Sequence, residues 1–97
     1  MRSGTRERLA GLEEELRQRG IASLALFGSL ARGDAGPDSD MDVLVDVAPG
    51  YPFSLVDLAA LKNFLSDRFG READVVTREG LDPAIREQVL REAERVF

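Results

Sequence analysis

The chain has 97 residues, a net charge of −5, and neither histidine nor cysteine. That length suits one domain over residues 1–97 with a modest core, and the acidic balance argues against a general nucleic-acid binder. The missing residue types exclude Ser-His-Asp and Cys-His catalysis, disulfides, and thiolate or imidazole metal sites, so any metal must be held by oxygens.

An oxygen-only site points to magnesium, with manganese as the alternative. No apolar run approaches the roughly 18 residues of a membrane span. The opening stretch, MRSGTRERLAGLEEELRQRG, is charged throughout and does not read as a signal peptide. A cytoplasmic protein is the expectation.

In chain order, Leu9, Leu12 and Leu16 fall on one face of a helix over about 6–19. Glu13 with Arg17 and Glu15 with Arg19 are i,i+4 pairs on its wet side. Gly20 is its expected stop. Residues 21–27 form a short apolar run of strand length, and a short helical turn is expected over 29–32. Residues 33–37, Gly-Asp-Ala-Gly-Pro, read as a loop.

The clearest strand is 41–47, with Met41, Val43, Val45 and Val47 on one face. Asp40, Asp42, Leu44 and Asp46 share the other. A turn over 49–52 leads to Ser54 and Asp57, spaced as a capping box. The following helix turns Leu58, Leu61, Leu65 and Phe69 inward and ends at Gly70. A third strand spans 73–77. Asp82-Pro83 then opens a last helix with Ile85, Val89, Ala93 and Val96 or Phe97 at helical spacing. Alternating helices and short strands make a small α/β (α+β) unit with a sheet of three or four strands.

Two features carry chemistry. Asp40 and Asp42 lie about 6.6 Å apart at Cα on one strand face, close enough to converge on a hard cation. A simply solvated face is the competing reading. Gly28-Ser29 ends the preceding strand, where glycine permits close backbone approach to a ligand and the serine hydroxyl can donate to a phosphate. The competing reading is a turn glycine and a helix N-cap. Arg32 could reach a phosphate or pair with Asp34 or Asp38.

Together these residues are more specific than apart. Gly28-Ser29, ten intervening residues, then Asp40-Met41-Asp42 is the pattern G-S-x10-D-x-D. It resembles the signature of the DNA polymerase β-like nucleotidyltransferases. The stretch LFGSLARGDAGPDSDMDVLVD is similar to the minimal nucleotidyltransferase (MNT) family, and the flanking elements follow that family's order α-β-α-β-α-β-α. The resemblance implies a nucleotidyltransferase-like mixed sheet flanked by helices.

It also implies a third carboxylate on a neighbouring strand. Asp74 stands at the expected place. Asp46 competes but lies about 13 Å along the strand from Asp42, and Glu72 falls one residue outside the strand. In the activity so implied, a nucleotidyl group, AMP from ATP, moves to a hydroxyl with release of pyrophosphate. Asp40, Asp42 and Asp74 would hold two Mg2+ ions, with Mn2+ as substitute. Gly28, Ser29 and Arg32 would bind the triphosphate.

The family further implies a separate helical partner of the HEPN type, in a homo- or hetero-oligomer. The chain would be an antitoxin that attaches AMP to a tyrosine of that toxin. Two alternatives stand beside it. One is a binding module that neutralises its partner by contact alone. The other is transfer to a small molecule of the aminoglycoside type, which the short chain disfavours. The end of the last helix is either core or part of the partner surface.

Overall fold

The structure is a computed structural model that describes residues 4–33, 36 and 39–97. It is built on a four-stranded sheet in the order β3-β2-β1-β4. The elements are α1 (Thr5–Ala10), α2 (Glu13–Gln18), β1 (Ile21–Phe27), α3 (Ser29–Arg32), β2 (Met41–Val47), α4 (Leu55–Phe69), β3 (Ala73–Thr77), α5 (Pro83–Glu92) and β4 (Glu94–Arg95). Strand β2 runs antiparallel to β1 and parallel to β3. The sheet is therefore mixed, as expected.

The two faces of the sheet are covered unequally, because residues alternate in direction along each strand. On one face Met41, Val43 and Val45 pack with Leu24, Leu26 and Val75 against Leu9, Leu16, Leu61 and Leu65. Helices α1, α2 and α4 supply that cover. On the other face, among the described residues, Leu44 clusters with Leu81 and Val89 as buried neighbours, with Phe27 and Val76 alongside. Helix α5 covers this face thinly, and Asp42 lies on it.

Local signals account for several element ends. The Ser54 hydroxyl accepts from the Asp57 backbone N–H while the Asp57 carboxylate accepts from Ser54 N–H, closing the capping box of α4. Gly70, in left-handed conformation, ends that helix. Asp82 caps α5 through Ala84 N–H, with Pro83 as its first residue.

Two expectations are corrected. The helix over 6–19 is two helices, broken at Gly11 and Leu12. Glycine is a poor helix former; here it caps α1, and the break lets Leu9 and Leu16 both become fully buried. Glu15 reaches Arg68 (3.9 Å) and Arg19 stacks on Phe64 (4.3 Å), in place of the Glu15–Arg19 pair. The expected Glu13–Arg17 pair is present at 2.8 Å.

The last helix stops at Glu92, and Ile85 points outward, 47% exposed. The chain then turns extended. Residues Glu94 and Arg95 pair with Leu26 and Ala25, and Val96 N–H donates to the Leu24 carbonyl at 2.8 Å. An open edge of β1 offers unpaired backbone groups, and satisfying them outweighs the tail's helical spacing. Val96 and Phe97 pack against the main core. The loop expected over 33–37, and the partners Asp34 and Asp38 weighed for Arg32, lie largely outside the described residues.

Candidate active site

Register brings the acids together. Phe27 on β1 is paired with Asp42 on β2, and Asp42 with Asp74 on β3. Adjacent strands are about 4.8 Å apart, so the Asp42 and Asp74 carboxylates leave the same face side by side. Asp40 precedes β2 by one residue and is exposed; Asp42 is half-buried; Asp74 is exposed. The approach to Asp40 is pinned from β3's side: Arg71 Nη1 donates to the Ser39 carbonyl at 3.1 Å, and Met41 N–H donates to the Glu72 carbonyl at 2.8 Å. Glu72 thus enters through its backbone.

Gly28 turns the chain out of β1 with φ 72° and ψ −147°, a region essentially restricted to glycine. A Cβ at this position would overlap the Asp42 Oδ2. The glycine therefore does two things: it makes the turn into Ser29–Arg32, and it leaves the space that the Asp42 carboxylate occupies. Arg32, at the end of α3, meets Glu92 at 3.2 Å.

Electrostatics mark Asp42 as the strained member. Partial burial, then repulsion from Asp74 and from Asp40, push its carboxyl above the usual carboxylate range, and the Arg32 charge offsets part of this. Acids held at such proximity want a cation. The donor set, all carboxylate oxygen, suits Mg2+ or Mn2+. Among the described residues no three carboxylates close into a ready-made metal cage.

Asp46 is committed elsewhere. Its Oδ1 accepts from Arg78 Nε at 2.9 Å, and its Oδ2 from Arg78 Nη2 at 3.1 Å and Ser23 Oγ at 2.7 Å. The Arg78 hydrogen bond is the main cause that holds the Asp46 carboxyl below the usual range. A group with a lowered folded-state pKa contributes stability above its unfolded value, and loses it as pH falls through the folded value. Asp46→Ala is expected to cost about 1 kcal/mol at pH 7, since the pair is partly exposed. That difference shrinks once pH drops below 3.8, and chemical denaturation at both pH values reads it.

A cleft of about 500 Å³ lies at the opposite end of β2 and β3, lined by Asp46, Tyr51, Phe53, Leu58, Thr77 and Arg78 among others. Asp40, Asp42 and Asp74 do not line it; Asp40 and Asp74 are exposed.

The model of the nucleotidyltransferase domain matches residues 9–96 of this chain. The chain belongs to the nucleotidyltransferase family. Within it, this nucleotidyltransferase groups with the minimal members. It is 39% identical over 85 residues to the protein adenylyltransferase MntA of Thermococcus cleftensis, covering 87% of this chain and 84% of that relative. A candidate protein adenylyltransferase of Methanocaldococcus jannaschii is 37% identical over 78 residues, covering 80% and 82%.

Among solved structures, a candidate minimal nucleotidyltransferase superposes with TM-score 0.76 at 42% identity, covering 92% of this chain and 89% of that one. A toxin–antitoxin structure with AMP-PNP superposes with TM-score 0.77, covering 96% and 73%. At 19% identity that likeness speaks for the fold. The nucleotidyltransferase carries no helix, among the described residues, long and apolar enough to cross a membrane.

Two elements of the surroundings escape a reading of the sequence: the Arg71 bond to Ser39 and the Arg32–Glu92 pair. Both join residues far apart in the chain, and no local pattern announces either.

Proposed function

We propose that this nucleotidyltransferase moves AMP from ATP to a hydroxyl of a protein partner, and that the partner is a HEPN-type helical toxin modified on tyrosine. The chain would act as its antitoxin, in the cytoplasm. The observation that carries the reading is the pairing of Asp42 with Asp74 across β2 and β3, with Gly28 seated against Asp42. The 39% identical relative named a protein adenylyltransferase supports a protein acceptor. So does the exposure of Asp40 and Asp74, which leaves them accessible to a large acceptor.

Asp40 and Asp42 would hold magnesium against the triphosphate, with Asp74 sharing a second ion. Bound there, the metal supplies positive charge to the oxygens of an in-line displacement. The remaining work falls to the chain. Gly28 and Ser29 hold the terminal phosphates, and Arg32 adds a cation beside them. Asp74 accepts the proton of the attacking hydroxyl. The acceptor oxygen bonds to the α-phosphorus, the bond to the bridging oxygen breaks, and pyrophosphate leaves.

Intact-mass measurement of a HEPN-type toxin mixed with this chain, after incubation with ATP and magnesium, tests the acceptor. The expected result is addition of AMP, lost when the modified tyrosine is replaced by phenylalanine. An unmodified toxin that is nonetheless silenced, equally by native chain and by the Asp40→Asn/Asp42→Asn variant, would favour neutralisation by contact and overturn the proposal.

A further inference from the structure

Arg32 is gripped from across the fold. Its Nη1 lies 3.2 Å from Glu92 Oε1, and the two residues are 60 apart in sequence. Glu92 is itself held: its Oε2 accepts from Gln88 Nε2 at 3.2 Å, one helical turn back along α5. The Glu92 side chain is only 24% exposed, against 48% for Arg32. A carboxylate held by Gln88 through one oxygen therefore meets, through the other, one nitrogen of a guanidinium whose charge acts on Asp42. Because the guanidinium is a rigid planar fork, a contact at one nitrogen narrows the positions open to the others.

A pair this exposed contributes little to stability. Its placement suggests another use. Arginine is flexible, and ordering it on ligand binding costs affinity unless the ordering is done beforehand. Helix α5 otherwise covers the acid face thinly, yet its last residue reaches the helical turn that follows Gly28.

We propose that Glu92 is a positioning residue, which holds the Arg32 guanidinium beside the acid cluster in readiness for triphosphate oxygens. Glu92 acts through Arg32 and does not touch the nucleotide. The inference rests on the reading of Arg32 as a phosphate contact, and the two fail differently in the following test.

Affinity of the full chain for AMP-PNP with magnesium is measured by calorimetry. The native protein is compared with Glu92→Ala, Glu92→Gln, Arg32→Ala and the Arg32→Ala/Glu92→Ala double variant, with melting temperatures taken alongside. Glu92→Ala is expected to weaken binding about three- to tenfold, the scale of one immobilised side chain. Glu92→Gln, which keeps an acceptor oxygen, recovers most of this. Arg32→Ala weakens binding at least as much, and Glu92→Ala adds nothing in its background. Melting temperatures stay close to native.

Native affinity in Glu92→Ala alongside weak binding by Arg32→Ala overturns the positioning role alone. Tighter binding by Glu92→Ala overturns it too, since Glu92 would then be withholding the arginine. A Glu92→Ala loss that persists in full without Arg32 shows an effect through the fold and also overturns it. Native affinity in Arg32→Ala removes the phosphate-contact reading and takes this inference with it. No binding by the native chain removes the proposed function itself.

Discussion

Asp42→Asn is expected to lower nucleotidyl transfer by about a hundred- to a thousandfold, the scale on which single charge-stabilising groups act in active sites, while making the protein melt at a higher temperature. The two effects have one cause. Asp42 is held above its ordinary carboxylate value by burial and by the neighbouring charges of Asp74 and Asp40. Its ionised form is therefore costlier in the folded chain than in the unfolded one.

The sign follows from proton linkage. A folded-state pKa above the unfolded value means that the native state binds the proton more readily, so stability falls as pH rises through that range. The cost is absent below 3.8 and complete above the raised folded value. Asparagine keeps the shape and removes the charge. The gain in melting temperature should appear at neutral pH and vanish in acid. Thermal melts at both pH values, with transfer assayed at pH 7, check the pair of effects. An Asp42→Asn variant that is active, or that melts lower at neutral pH, would contradict this account of the site.

The second large effect is expected at Gly28. Alanine there must adopt φ near 72°, where L side chains are disfavoured, and its methyl group would occupy the place of Asp42 Oδ2. Backbone strain alone costs about 1–3 kcal/mol. The carboxylate must then move, and displacement of a catalytic group by about 1 Å is enough for roughly a hundredfold loss of rate. Gly28→Ala should thus lose both stability and transfer.

Gly33 provides the control. Its φ is 79°, yet an added Cβ meets nothing within 4 Å among the described residues. Gly33→Ala, in the ordinary left-handed region with ψ 13°, should therefore carry a milder backbone strain and leave Asp42 in place. Calorimetry and single-turnover rates on both variants separate the effects. Equal loss of transfer in the two would show that close approach to Asp42 is not what Gly28 provides.

Much of the scaffold was legible because its signals are local. Strand limits at Ile21–Phe27, Met41–Val47 and Ala73–Thr77 follow from apolar runs that begin after glycine or acid and end at Gly28, at Ala48-Pro49 and at Arg78. The start of α4 follows from Ser54 and Asp57, three residues apart. The alternation that puts Asp42 opposite Val43 and Val45 is a property of any strand. Register is not local, yet the carriage of Asp74 beside Asp42 was reachable through the family pattern and is what the sheet displays.

What was not legible depends on distant partners. The break at Gly11 is set by the seating of Leu9 and Leu16 on the sheet. The tail has helical spacing in Val89, Ala93 and Val96, but it becomes a strand because β1 has an open edge to fill. Asp46 shares a strand face with Asp42, and only the fold shows that Arg78 and Ser23 already hold it. Glu92 carries no signal at all in sequence; its interest arises from where α5 ends.

Transfer of label from ATP most directly tests the central claim, which is movement of a nucleotidyl group. The native chain is incubated with magnesium and the proposed HEPN-type partner, in parallel with α-labelled and with γ-labelled ATP. The account predicts label on the partner from the α position only, and none in either case with Asp40→Asn/Asp42→Asn. Label arriving from the γ position would make the reaction a phosphoryl transfer and contradict the account.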